Sequence, residues 1–237
     1  MAEYGLYLES GPKRRKTMVH VLDLLGCIAN GATTEAALEA TPDAIRTYLR
    51  FLRQAGEDAN PDTSFTTTVA EHITEGMWLG NGSPYITYGP DFAAVTDADI
   101  ETFTKRLHSL REALAGWAED QTDEALDAPA DGRTARAILL HVLTTPGAYL
   151  SPIIGAPGVS RIGMQCERGE MPLAEGLRQI EAIVSERLRA TTPQQRSAVL
   201  ERGKMLRPLR KAIRRTLEHD WEHLAELSRR PGGPRLG

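Results

Sequence analysis

The chain has 237 residues, of which 41% are hydrophobic and 25% are charged, a composition typical of globular domains. Its formal net charge of −4 provides no overall electrostatic attraction to nucleic acid. The two cysteines, Cys27 and Cys166, lack metal-type spacing, so we expect reduced thiols in a cytoplasmic protein. The first residues lack the basic and apolar segments of a signal peptide, and no continuous apolar run approaches the about 18 residues of a membrane span.

Strand-forming residues recur in four short segments of the first 93 residues. A turn-forming stretch at 10–15 separates the first two segments. Between the third and the fourth, apolar residues repeat with helical spacing after Thr33 or Thr34 as N-cap, and Pro42 predicts a kink or a split in that helix. The predicted strands are Tyr4–Glu9, Lys16–Leu24, Cys27–Asn30 and Phe65–Ile73. The β-β-β-α-β order predicts a small α+β domain over residues 1–93.

The turn between the first two strands carries four consecutive basic residues, Lys13 to Lys16. Such a run could contact the phosphates of a nucleic acid. Four basic residues in an exposed hairpin are more often a solvated turn, and the net charge of the chain is negative. We therefore favour the solvated turn and do not expect a nucleic-acid partner.

The segment 24–38 has the sequence Leu-Leu-Gly-Cys-Ile-Ala-Asn-Gly-Ala-Thr-Thr-Glu-Ala-Ala-Leu and resembles HicB-type antitoxin domains. In those domains a short strand ends in Leu-Pro-Gly-Cys, and a Gly-x-Thr-x-Glu-Glu-Ala pattern opens the helix. The resemblance covers residues 1 to about 75. It implies a degenerate ribonuclease-H-like half domain that binds a protein partner, and it implies no catalytic residues.

Four amphipathic helical patterns follow residue 94. The predicted helix starts are Thr96 or Asp97, Arg133 or Thr134, Pro172, and Lys204 or Pro208. Pro146-Gly147 predicts a bend or an end in the second helix, and the fourth helix should run to Arg229. Four such helices joined by loops predict an all-α, up-and-down four-helix bundle over residues 94–230. The Pro/Gly-rich residues 231–237 predict a disordered tail.

The fourth predicted helix carries His219 and His223, which lie one turn apart on the same face and could both reach one divalent ion. Their position at the edge of the apolar stripe suits a metal at a groove mouth, and it suits an exposed polar pair equally well. Glu226, one turn further on, could orient a ligand imidazole, supply a fourth ligand or act as a general base, and the plain alternative is an exposed charge. The acids that flank the pair are expected to be solvated charges: Glu218, Asp220 and Glu222.

His141 lies on the second predicted helix, and together with the His219–His223 pair it resembles the DinB-like family of four-helix bundles. In that family one histidine on the second helix and a His-x-x-x-His pair on the fourth hold a divalent metal. The resemblance covers residues 97 to about 230 and implies Zn²⁺ or Ni²⁺ held by His141, His219 and His223. Three neutral imidazoles leave at least one coordination position open, which is the arrangement of a catalytic site.

The DinB-like resemblance implies a metal-dependent thiol transferase or hydrolase. Its partners would be a small-molecule thiol and a small electrophilic substrate, which could enter past the loop from Ser151 to Met171. The alternative is a non-catalytic HicB-like interaction or antitoxin-type protein, whose first domain binds a protein partner and whose helical bundle is a structural or dimerisation module. We expect a homodimer under either hypothesis.

Overall fold

In a computed structural model, which describes residues 1–130 and 132–236, a four-stranded mixed sheet with one helix is followed mostly by helices. Asp131 and Gly237, the last residue of the expected tail, lie outside the described residues. In chain order the elements are β1 (Ala2–Ser10), a 3-10 helix (Pro12–Arg14), β2 (Arg15–Val21), β3 (Ile28–Thr33), α1 (Thr34–Gln54), β4 (Phe65–Ile73), a 3-10 helix (Gly89–Phe92), α2 (Asp97–Glu119), α3 (Asp123–Leu126), α4 (Ala135–Tyr149), α5 (Ser151–Ile154), α6 (Val159–Glu167), α7 (Leu173–Arg189), α8 (Pro193–Ser197), β5 (Val199–Arg202), β6 (Met205–Pro208) and α9 (Leu209–Ser228).

The sheet has the strand order β3-β2-β1-β4, which confirms the predicted sequence of three strands, a helix and a fourth strand. β1, β2 and β3 pair antiparallel, whereas β4 pairs parallel to β1 after the crossover through α1. The hydroxyl of Thr33 caps α1 by accepting from the amide of Ala36. α1 runs unbroken through Pro42, so of the two predicted outcomes, a kink or a split, the split is wrong. The buried stripe continues across the proline to Ile45 and Leu49, and this packing offsets the lost hydrogen bond.

The helix starts after residue 94 follow capping chemistry. Thr96 and Asp99 form a reciprocal capping box at α2, and Thr134 caps α4 through the amide of Ala137. α7 begins one residue after Pro172.

The fourth predicted helix does not start at Lys204, because the β5–β6 hairpin occupies that region and α9 begins at its end. The expected loop from residue 151 to 171 contains α5 and α6.

Pro146 does not end α4, which continues to Tyr149. A proline has no amide hydrogen, so the carbonyl of Val142 loses its helical partner. The guanidinium of Arg111 replaces that partner, because its Nη2 donates to the Val142 oxygen at 3.1 Å. Arg111 is itself fixed by Asp220, with Nε 2.6 Å from Oδ2. A buried ion pair thus satisfies the carbonyl that the proline leaves open.

The chain divides into two compact units. The first contains residues 1–94 and 197–218, with Leu236, and the second contains residues 95–196 and 219–235. Sequence reasoning grouped residues 197–218 with the helices, whereas contacts tie them to the first unit. Lys211 Nζ donates to the carbonyls of Pro84 and Leu206, and Arg214 pairs with Asp91 at 2.8 Å. Helix α9 therefore contributes its first ten residues to one unit and the rest to the other.

In the segment expected to be disordered, the carbonyl of Gly232 accepts from Trp117 Nε1 at 2.8 Å. One described stretch, Ala135–Ile154, is long and apolar enough to cross a membrane by length and composition alone. It is interrupted by Arg136 and His141, and its helix α4 packs against α6 and α7. A core helix of a globular domain has the same composition.

Candidate metal centre

Three imidazoles from two helices of the second unit converge on one point. His141 lies on α4, and His219 and His223 lie on the second-unit part of α9. One nitrogen from each ring lies within 4.8 Å of the other two. The ring centroids are separated by 4.6 Å, 5.1 Å and 4.4 Å. The structure therefore brings together all three residues that the sequence nominates as metal ligands.

The geometry and the chemistry of this group suit a borderline divalent ion. Zinc binds histidine nitrogen at about 2.0–2.1 Å, so the nitrogens of a tetrahedral site are about 3.3 Å apart. Nε2 of His141 and Nε2 of His219 are separated by 2.9 Å, and the ligand nitrogens of the three rings all lie within 4.8 Å of one another, so the observed spacings bracket that value. An all-imidazole donor set favours zinc, nickel, copper or iron over calcium and magnesium, which prefer oxygen.

The histidines differ in exposure. His219 and His223 are 7% and 5% exposed, so the pair is more deeply buried than its position at the edge of the apolar stripe predicts. His141 is exposed and marks the open side of the group. Burial, followed by the neighbouring His219, lowers the pKa of His223 to about 4, and burial also lowers the pKa of His141. Both rings are therefore neutral near pH 7, which is the form that binds a metal.

The buried histidines each have a polar partner at Nδ1. Glu226 Oε2 lies 2.7 Å from Nδ1 of His223, and Thr145 Oγ1 lies 3.0 Å from Nδ1 of His219. Thr145 Oγ1 lies farther from Nε2 of His219, at 3.3 Å, so Nδ1 is the better placed hydrogen-bond partner. The Thr145 hydroxyl donates to the carbonyl of His141 and can accept from Nδ1 of His219. Acceptors at Nδ1 leave the Nε2 lone pairs free to bind a metal.

Glu226 is only partly exposed and is held by a cation. Arg133 Nη2 donates to Glu226 Oε2 at 3.1 Å. Burial raises the pKa of Glu226, but the hydrogen bond with His223 and the charge of Arg133 outweigh it and lower the pKa. The carboxylate is therefore anionic near pH 7. Among the roles considered for Glu226, this geometry best suits orientation of the His223 ring.

Two acids next to the histidines are not solvated as expected. Asp220 is fully buried in the ion pair with Arg111. Glu218 belongs to the first unit, where it is 1% exposed and accepts from Arg214 and Arg215. Each charge is compensated by an arginine, as burial requires. Only tertiary contacts identify the partner of Asp220, because Arg111 lies on a different helix.

Sequence reasoning missed two residues of the site. Thr145 lies four residues after His141, so the helical period places it on the same face, and this signal was available. Arg133 precedes α4, and nothing in the sequence connects it with Glu226 on α9. The side chains that position the ligands were therefore harder to identify than the ligands.

Comparison with family models, with curated proteins and with solved structures finds no match for this chain. The HicB-like and DinB-like resemblances thus remain predictions from the sequence motifs.

Proposed function

We propose that this chain is a metal-binding DinB-like protein, and that it acts as a metal-dependent thiol transferase or hydrolase on a small electrophilic substrate. His141, His219 and His223 would hold Zn²⁺ or Ni²⁺. The observation that carries the proposal is the convergence of three imidazole nitrogens within 4.8 Å from two helices, with two of the rings buried. An ordinary surface pair of histidines would be exposed to solvent. His219 and His223 are instead buried, and each has a polar partner at Nδ1.

The arrangement of the helices supports a DinB-like bundle made of α2, α4, α7 and the second-unit part of α9. α7 packs against both α2 and α4. The Arg111–Asp220 pair joins α2 to α9, and the His141–His219 contact joins α4 to α9. We propose that these four helices form the up-and-down bundle and that α5 and α6 are additions to it.

The metal and the surrounding side chains would have separate roles in the reaction. A divalent ion bound there would lower the pKa of a thiol or a water in its remaining coordination position. Glu226 and Thr145 would hold two of the rings in the ligand tautomer. The substrate would approach from the side of His141, because that ring is exposed and the other two are buried.

Elemental analysis of the untagged, gel-filtered protein tests the proposal. We expect about one Zn²⁺ or Ni²⁺ per chain in the wild type and none in His141→Ala or His219→Ala, because each variant keeps only two of the three protein ligands that a catalytic zinc site uses. His108→Ala is the matched control, since His108 is an exposed histidine on α2 and should keep the metal. Full metal content in His141→Ala would show that the three-histidine site is wrong.

A second candidate function, a non-catalytic interaction protein, is favoured by the open edge of the first unit. Among the described residues β4 is the last strand of the sheet, and its residues 66–70 are exposed on both faces. The register with β1 shifts after Val69, so Phe65–Val69 is the regular part of the edge. Such an edge is a template for another strand.

The segment Phe65–Val69 is compatible with its own copy in antiparallel register. Centred on Thr67, the pairing puts Thr66 opposite Thr68 and Phe65 opposite Val69, and both kinds of pair stabilise sheets. Thr67→Lys would put two like charges directly opposite each other, whereas Thr67→Val would not. Light scattering that gives a dimer for the wild type and Thr67→Val, and a monomer for Thr67→Lys, would support the β4 edge as an interaction surface. Equal masses for all three would exclude pairing of this edge with its own copy.

A further inference from the structure

A cleft of about 420 Å³ opens beside His141 in the second unit. It lies between α4 and α6, so the segment expected to be a loop supplies one of its walls. The residues that matter for its shape and chemistry are Leu140, His141, Thr144, Gly147, Gly163 and Met164. The volume falls in the range of small-molecule binding sites.

Two glycines in the walls are not required by helix packing. A Cβ atom added to Gly147 on α4 would lie 3.7 Å from Val159, and one added to Gly163 on α6 would lie 3.9 Å from Thr144. These are ordinary contact distances. By contrast, a Cβ atom on Gly176 of α7 would lie 2.3 Å from Cys166 Sγ, so packing does require a glycine there.

Glycine within a helix costs about 0.5–1 kcal/mol relative to alanine. Gly163 is the fifth of the nine residues of α6, in the interior of the helix. Since its neighbours would accommodate a Cβ atom, close packing does not account for this glycine, and a larger side chain there would occupy part of the cleft that Gly163 lines. The same holds for Gly147 on the opposite wall.

Most of the cleft surface is apolar, although Ser160 and Glu167 also line it. Leu140 and Met164 contribute aliphatic and thioether surface, and Met164 is 49% exposed. A flexible methionine on an open wall can adapt to apolar ligands of different shape. His141, the exposed member of the histidine cluster, lines the cleft from the α4 wall, opposite Met164 on α6. An apolar group in the cleft would therefore lie next to the candidate metal ligands.

We propose that the α4–α6 cleft binds the apolar part of the substrate, and that the substrate class is a small aryl or alkyl electrophile whose reactive group lies at the histidine cluster. This inference rests on the proposed function. The cleft determines which substrate binds, and the metal held by the three histidines determines the reaction that the substrate undergoes.

Two hydroxamates that share a metal-binding group and differ in their apolar part provide the test. After metal content has been measured, benzohydroxamate and acetohydroxamate are titrated calorimetrically into the Zn²⁺-loaded wild type, Gly163→Leu and Gly116→Leu. We expect benzohydroxamate to bind the wild type about tenfold or more tightly than acetohydroxamate, because its ring is buried in the cleft. Gly163→Leu fills the cleft and should keep its metal but lose this preference. Gly116→Leu is the control, since Gly116 lies on α2 with no heavy atom within 4 Å of an added Cβ atom.

Met164→Glu provides a second variant should Gly163→Leu fail to fold. Met164 is half exposed, so a charge there leaves the core intact but opposes an aryl ring in the cleft. Full metal content with equal affinity for the two hydroxamates in the wild type would overturn the cleft proposal and leave the metal site standing. A wild type that binds no metal would overturn both.

Discussion

The three histidines of the site differ in how their rings are held. His223 is fixed by Glu226, which Arg133 holds in turn, and His219 is adjacent to the Thr145 hydroxyl. His141 is exposed on the open side. Loss of a ligand should therefore abolish metal binding, whereas loss of a residue that orients a ligand should only weaken it.

Glu226→Ala separates these two roles. We expect the variant to retain the metal stoichiometry of the wild type but to bind the metal about 10–100-fold more weakly, because Glu226 orients His223 without being a ligand. His223→Ala should lose the metal. Affinity is measured by competition with a chromogenic chelator, and Glu186→Ala, an exposed acid on α7, is the control. Loss of metal as complete as in His223→Ala would make Glu226 a ligand, and unchanged affinity would make it a surface charge.

Arg111 and Asp220 form a buried ion pair whose two halves depend on each other. Arg111→Met should lower the free energy of unfolding by about 3–5 kcal/mol, because it leaves a buried carboxylate unpaired. It also removes the donor to the Val142 carbonyl that Pro146 leaves open. The double variant Arg111→Met/Asp220→Leu should recover most of that loss. Urea unfolding of the metal-free proteins measures both values, and a double variant no more stable than the single one would contradict this account.

At the level of elements, the helix starts are set by capping side chains, whereas the course of a helix past a proline is set by packing. Thr33, Thr96 and Thr134 each cap the helix that the sequence assigns to them. Pro42 and Pro146 both lie within helices that continue through them. In α4 the reason is a donor from another helix, so the local rule for proline is overridden by a tertiary contact.

Gly31 lies within β3, where the strand passes close to the first turn of α1. A Cβ atom there would be 2.2 Å from the backbone nitrogen of Ala37 and 2.6 Å from its Cα. Gly31→Ala must shift backbone, so we expect a loss of about 1–3 kcal/mol in the free energy of unfolding. Gly116→Ala, with no heavy atom near the added Cβ, should instead be neutral or gain up to about 1 kcal/mol. Thermal and urea unfolding test the pair, and a fully stable Gly31→Ala would refute the close approach of strand and helix.

At the level of the whole molecule, α9 is common to both compact units, and its histidines belong to the second. A ligand that binds only the folded state stabilises it by mass action, by about 2.7 kcal/mol at 100 times its dissociation constant. For a chain of this size that corresponds to a rise in Tm on the order of 5–10 °C.

We therefore expect Zn²⁺ or Ni²⁺ to raise the Tm of the metal-free wild type, and a chelator to reverse the rise. His219→Ala, which lacks one ligand, should show no shift. Differential scanning calorimetry measures the effect. An equal shift in both proteins would mean that the metal binds elsewhere on the chain.

The sequence alone identified the features that depend on neighbours in the chain. The β-β-β-α-β order, the capped helix starts and the one-turn spacing of His219 and His223 arise from periodicity and capping, which act over a few residues. His141 was nominated through a family resemblance, because the rotational phase between two helices is not written in either one.

Tertiary structure decided the features that depend on distant partners. It placed His141 next to His219, and it buried Asp220 because Arg111 lies opposite. It assigned residues 197–218 to the first unit and formed the cleft beside His141 from a segment that the sequence predicted as a loop. The physical reason is that the burial of a charge, the phase of a helix and the shape of a cleft are set by packing between segments far apart in the chain, whereas periodicity and capping are set within one segment.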